Sequence, residues 1–244
     1  MTEFSMLMGN INSQISTVNV SFEKLNDKVN GLLGKFPGFL SYLVKPLVAA
    51  WNKVVELSKK MWHEIDAYLQ EPGDPGRLND AGTNLSDKVQ SPVSAQAGKF
   101  TETYMKVDDK WKGDAAEQYK KVLEPNAPQS SALRQYAATV AEVSKALNKC
   151  RWAIITFWIA VGTAYATLIG ALMAAIIGVV SIVGAIPALL YAAGCIAAFV
   201  VAVIAAGAYA VSEMSDAAST FRTQNNGNDH LAGGKWPPSG VPES

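Results

Sequence analysis

Apolar residues recur at steps of three and four along the first part of the chain and then merge into an unbroken apolar run, so two kinds of helix are predicted. Between residues 10 and 33, Ile11, Ile15, Val18, Phe22, Leu25, Val29 and Leu32 draw one stripe on a helix, A. Gly34-Lys35-Phe36-Pro37-Gly38 ends it and turns the chain back. Helix B follows from Leu47 to Tyr68 with Ala50, Val54, Leu57, Met61 and Ile65 in its stripe, flanked by Trp51, Val55, Trp62 and Leu69. Lys and Glu fill its other face, and Pro46 belongs at its first turn or kinks a longer helix starting near Gly38. Residues 1–71 therefore read as an N-terminal amphipathic hairpin.

Glu71-Pro72-Gly73-Asp74-Pro75-Gly76 breaks the pattern, and Asp74 before Pro75 has the form of an N-cap followed by proline at the first helical position. Helix C then carries Leu78, Ala81, Leu85 and Val89, is interrupted at Ser91-Pro92, and resumes through Val93, Ala97, Phe100, Tyr104, Val107 and Trp111. Gly113 ends it and Asp114 is placed to cap helix D. That helix carries Ala115, Ala116, Tyr119, Val122 and Leu123, breaks at Pro125 and Pro128, and continues through Leu133, Tyr136, Val140, Val143, Leu147 and Cys150. Residues 72–151 form a second helical hairpin on this reading. An amphipathic hairpin cannot bury its stripe alone, so helices A to D are expected to close one four-helix-bundle-like unit.

Charge changes the picture beyond residue 151. Nineteen Lys/Arg and seventeen Asp/Glu lie in residues 1–151, and none of either lies in the sixty-one residues 152–212. That stretch holds two spans of about 20 residues, joined near Ser181 to Pro187, and reads as a transmembrane helical hairpin. Gly162, Ala166, Gly170, Ala174 and Gly178 recur at four-residue steps in the first span; Gly194, Ala198, Ala202, Ala206 and Ala210 do so in the second. Such ribbons of small side chains predict close packing of the two membrane helices. Lys145, Lys149 and Arg151 precede the first span, so insertion during synthesis would leave both ends in the cytoplasm, whereas delivery from outside would not obey that rule. Residues 213–244 are expected to be a disordered tail, rich from Thr223 onward in Asn, Gly and Pro. Trp236 in it is a candidate recognition anchor. The fold class expected is all-α.

Chemistry is sparse. Cys150 and Cys195 are the only cysteines and are not expected to pair; His63 reads as a solvated surface residue and His230 as a solvent-exposed tail residue. There is no phosphate loop, no metal spacing, and no nucleophile with a base beside it, so neither an enzyme nor a cofactor is expected. With 21 basic against 21 acidic residues and no unbroken basic cluster, no nucleic acid is expected as partner. No ionisable group interrupts the spans, which argues against ion transport. Residues Met1 to Ser13 do not look like a cleaved signal peptide.

Trp111-Lys112-Gly113 stands between helical arms 77–110 and 114–152, preceded by Gly73-Asp74-Pro75 and followed by Asp114-Ala115-Ala116-Glu117-Gln118-Tyr119. In these features the chain resembles the WXG-motif family of type VII (ESX) secretion substrates, over about eighty residues. The resemblance implies that Trp111 and Gly113 form the hairpin-turn motif and that a tyrosine followed four residues later by an acid forms the export signal. Tyr209 and Glu213 have that spacing downstream of the hairpin; Tyr104 and Asp108 have it upstream, where the family does not place it. Tyr209 also lies where an interfacial aromatic anchor is expected. The resemblance further implies a WXG-type helical partner or the type VII secretion ATPase, besides membrane lipid and a homo-oligomer. A secretion-associated effector acting by binding and membrane insertion is the expected function, membrane-associated and secreted or at the cell surface. An α-helical pore-forming toxin, which this architecture is also similar to, and a membrane-anchored accessory protein are the alternatives.

Overall fold

A computed structural model describes residues 3–35, 41–100, 102–106, 111–124, 127–227, 229, 231, 235 and 236. The fold is all-α, with no strand among the described residues. In chain order the helices are α1 (Glu3–Leu33), α2 (Ser41–Gln70), α3 (Pro75–Leu85), α4 (Ser91–Lys99), α5 (Glu102–Met105), α6 (Asp114–Leu123), α7 (Pro128–Gly178) and α8 (Ile182–Asn226). His230, Asp108, Pro125 and the Phe36-Pro37-Gly38 part of the first turn lie outside the described residues.

The chain divides into two compact units. The first joins Met1–Pro75 to Trp152–Ser212, and the second joins Gly76–Arg151 to Glu213–Ser244. This corrects the expected pairing: the N-terminal hairpin is grouped with the apolar hairpin, not with the Trp111 hairpin. Both α1 and α2 present continuous buried stripes, Ile11, Val18, Leu25, Val29 and Leu32 on one and Leu47, Ala50, Val54, Met61 and Ile65 on the other. Helix C offers no such continuous partner. Its first piece exposes Ala81 and buries Gly82, a π-helical turn at Ser86–Gln90 interrupts it, and it stops again at Phe100. Pro92 explains the π turn: it has no N–H for the carbonyl of Lys88, and the Ser91 N–H reaches back to the Ser86 carbonyl, one residue further than in an α-helix.

Other boundaries moved for local reasons. Helix α1 begins earlier than residue 10 because Phe4, Leu7 and Met8 extend its half-buried side. Pro46 lies in the second turn of α2. Between α7 and α8 only Val179 to Ser181 intervene, so Pro187 lies inside α8 and not in the join. The Gly184 N–H donates to the Ser181 hydroxyl at 3.2 Å, which makes Ser181 the N-cap.

The tail is also corrected. Helix α8 continues without a break to Asn226, because beyond residue 212 it still finds partners within the second unit. Ala217 is fully buried, Lys149 pairs with Glu213 at 3.2 Å and with Asp216 at 3.1 Å, and the Gln135 amide donates to the Gly227 carbonyl at 2.9 Å.

Candidate functional site

In the first unit the apolar hairpin, residues 152–178 of α7 and 182–212 of α8, turns its bulky side chains inward. Trp158, Tyr165, Leu168, Leu172, Leu189 and Ile196 are fully buried, and the rings of Tyr165 and Phe199 lie 4.6 Å apart. The N-terminal hairpin supplies the other side of this core. A Cβ built on Gly162 would stand 3.7 Å from both Ile11 Cγ1 and Gln14 Oε1, and the Tyr68 ring sits 4.6 Å from that of Phe157 while its hydroxyl closes on Gly207. At the edge of the core the Trp158 indole N–H donates to the Pro72 carbonyl at 2.8 Å. Gly73, held at φ +80° where only glycine is unstrained, lies against Ile154.

The outward side of the same hairpin is apolar and uncovered. Ile159, Met173 and Ile177 on α7, Val180 in the turn, and Val183, Leu190, Val201, Ile204 and Val211 on α8 are all exposed, Val183 at 84%. Both helices are long and apolar enough to cross a membrane, and only 33% and 39% of their most apolar windows are buried. By contrast, the outward faces of α1 and α2 carry Glu23, Lys24, Asp27, Lys28, Lys53, Glu56, Lys59, Lys60 and the exposed His63. The unit is thus polar on one side and apolar on the other.

The small-residue ribbons do not fill the role expected of them. Ala166, Gly170, Ala174, Gly194, Ala198 and Ala202 face outward, and a Cβ on Gly170 or Gly194 would meet nothing within 4 Å. Only the ends are engaged: Gly162 with α1, Gly178 with Ala188 at 2.6 Å from a built Cβ, Ala206 half-buried and Ala210 buried. The reason is geometric. Each four-residue step overshoots a helical turn by about 40°, so a ribbon of five such residues winds about 160° around its helix and cannot stay on one interface.

In the second unit, Trp111 is 45% exposed and lies over Tyr119 with ring centroids 5.4 Å apart. Gly113 has φ +105° and serves as the N-cap of α6, so Asp114 is the first helical residue and not the cap. Asp114 and Glu117 still suit the first turn, where the helix dipole favours acids. The Ser144 hydroxyl donates to the Gly82 carbonyl at 2.8 Å, and those residues lie equally far, thirty-one positions, before and after Gly113. Phe100 and Tyr119 pack on Ala116 and Leu123 nearer the turn. The arms therefore fold back about Gly113.

Of the two downstream export-signal candidates, Tyr209 is exposed, whereas Glu213 is held by Lys149. Hydrogen bonds from Lys149 to Asp216 and Glu213 raise its pKa above the ordinary 10.5. In the sequence Lys149 stands out only as a topology signal, because its acidic partners lie sixty-odd positions away and give no local cue. Tyr104 is exposed, at 58%, and is not a core residue of helix C. Cys150 and Cys195 are free thiols, as expected, and burial pushes the Cys150 thiol up, away from the nucleophilic thiolate. No cluster of metal-ligating side chains occurs among the described residues. Trp236 is exposed. Comparison with family models, with curated proteins and with solved structures returns no match.

Proposed function

We propose that this chain is a type VII (ESX) secretion-associated effector that acts by protein-protein binding and by inserting its apolar hairpin into a membrane, not by catalysis. The observation that carries the membrane half is the uncovered outward face of α7 and α8, from Ile159 to Val211. Soluble monomers rarely leave apolar patches of that extent facing water. Lipid satisfies such a face without requiring polar partners, and the exposed Thr163 and Thr167 hydroxyls on it already donate to carbonyls of their own helix.

The secretion half rests on the Trp111-Lys112-Gly113 turn. Its glycine occupies a positive φ, its tryptophan is available on the surface, and its two arms meet where the Ser144 hydroxyl donates to the Gly82 carbonyl. An exposed tryptophan two residues before the glycine that caps α6 suits recognition by a WXG-type helical partner or a secretion ATPase. A second reading, a pore-forming toxin, is favoured by one feature: the apolar hairpin is packed under two amphipathic helices in the same unit.

Fractionation of expressing cells into medium, membrane and cytosol, with Trp111→Ala beside the unaltered chain, tests both halves. The substitution is expected to abolish release into the medium while leaving helicity unchanged. Unimpaired release removes the secretion reading. Failure of the purified protein to bind vesicles of phosphatidylcholine and phosphatidylglycerol removes the membrane reading, and rapid leakage of dye from those vesicles favours the toxin.

A further inference from the structure

We infer that the groove between α1 and α2 is a binding site for an organic ammonium ion, its cationic head held by the rings of Phe22, Trp51 and Trp62 and by the carboxylate of Glu23. This goes beyond membrane insertion and secretion and depends on neither. The groove has a volume of about 440 Å³, a size suited to a small molecule.

Two features of the helices build it. Trp51 and Trp62 stand eleven residues apart, three helical turns, so both project from one side of α2, and Val54 and Val55 lie between them in the lining. On α1 the core position at this level is taken by Ser21, which is 3% exposed and donates its hydroxyl to the Thr17 carbonyl at 2.7 Å. Phe22 next to it is only half-buried and lines the groove. The small polar side chain is thus in the core and the large apolar one outside it, the reverse of what burial alone favours. Trp51 and Trp62 are half-buried as well.

Charge selects the ligand. Glu23 is exposed in the same groove and has no hydrogen-bond or ion-pair partner among the described residues, whereas Glu56 on α2 is paired with Lys53 at 3.3 Å. Its neighbours on the same face of α1 are Asn19, Asn26 and Asp27, none of them a cation. No Lys or Arg lines the groove, and among the described residues none lies over these three rings. Both the aromatic faces and the carboxylate are therefore uncommitted, and both attract a cation. A methylated ammonium sheds its water more readily than the strongly hydrated head of a lysine, which favours it on an aromatic wall. A phosphate attached beside that head would find no cation in the lining and would meet Glu23, so a phosphocholine group is a poorer fit. A sugar would stack on the same rings but leave the carboxylate unanswered.

The test uses the full chain in a polyoxyethylene detergent, which carries neither charge nor sugar, with ligands followed by saturation-transfer NMR. Choline and benzyltrimethylammonium are expected to bind, the second about tenfold more tightly because its ring extends over Val55. Dimethylbutanol, the neutral carbon isostere of choline, is expected not to bind. Glu23→Gln, at an exposed side chain, should weaken benzyltrimethylammonium by about tenfold, while Asp27→Asn, outside the lining, should change it by less than about twofold. Trp62→Leu should abolish binding. If dimethylbutanol binds as tightly as choline, the groove is merely apolar and the inference is overturned. Unchanged affinity in Glu23→Gln overturns it too, whether or not Trp62→Leu folds. So does tighter binding of glycerophosphocholine or of methyl glucoside than of choline.

Discussion

Replacing Trp158 by phenylalanine isolates what holds the edge of the first unit together. The indole is 1% exposed, donates to the Pro72 carbonyl at 2.8 Å, and meets the Phe157 ring edge-on at 5.0 Å. Phenylalanine keeps a ring in place but removes three heavy atoms, the donor nitrogen among them. A carbonyl left unpaired costs about 1–3 kcal/mol, toward the lower figure for this part-buried bond. The lost apolar volume adds about 2 kcal/mol at roughly 0.8 kcal/mol per methylene-sized group. The expected loss for Trp158→Phe is therefore about 3 kcal/mol. Trp111→Phe, by contrast, keeps its stack on Tyr119 at a 45% exposed site and is expected to change stability by less than about 0.5 kcal/mol. Equilibrium urea unfolding in mild detergent, followed by helicity, measures both. If Trp158→Phe unfolds within about 0.5 kcal/mol of the unaltered chain, the Pro72 carbonyl does not depend on that indole and the bond does not hold the edge of the core.

Further expectations follow from the glycines and from Lys149. Along one ribbon of small residues the same change should have opposite signs: Gly170→Ala, with open space around it, gains about 0.8–1 kcal/mol of helix propensity, while Gly178→Ala drives a Cβ to 2.6 Å from that of Ala188 and costs about 1–3 kcal/mol. Thermal melts of the two variants decide it. Gly113→Ala meets no atom within 4 Å but inherits φ +105° with ψ 179°, a region essentially open only to glycine, so its loss, about 1–3 kcal/mol, should come from backbone strain alone and not be relieved by Gly113→Asn. The folded-state pKa of Lys149 is raised, so its pairing contribution is complete below the ordinary value of 10.5 and fades as pH climbs through the elevated one. Melting of the unaltered chain should drop more steeply on the alkaline side than that of Lys149→Met, and added salt should narrow the gap because the pair is solvent-accessible.

Sequence periodicity located the individual helices because it is a local property. The stripe from Ile11 to Leu32 and the charge-free run from 152 to 212 each announce themselves without reference to anything distant. Pairing was not legible for the opposite reason. The stripe of α1 is equally able to cover helices C and D or the apolar hairpin, and the choice turned on the π turn and the break at Phe100, which fragment helix C. The helical tail likewise depended on Glu213 and Asp216 meeting Lys149 from far along the chain. The ribbons misled through the difference between a four-residue step and the helical repeat. At the Trp111 turn the glycine was readable as a turn residue, while the exposure of Trp111 was not, since tryptophan in an apolar stripe is ordinarily buried.

The meeting of Gly82 with Ser144 at equal remove from Gly113 limits how this chain can change length. One residue added inside α3, or inside α7 before Ser144, would swing what lies beyond it by about 100° and carry Gly82 or Ser144 off the shared line. At the π turn, at Phe100 and between α6 and α7, where the arms are already broken, an added residue can be taken up without that rotation. Homologous chains should therefore differ in length at those breaks and not within the helical pieces.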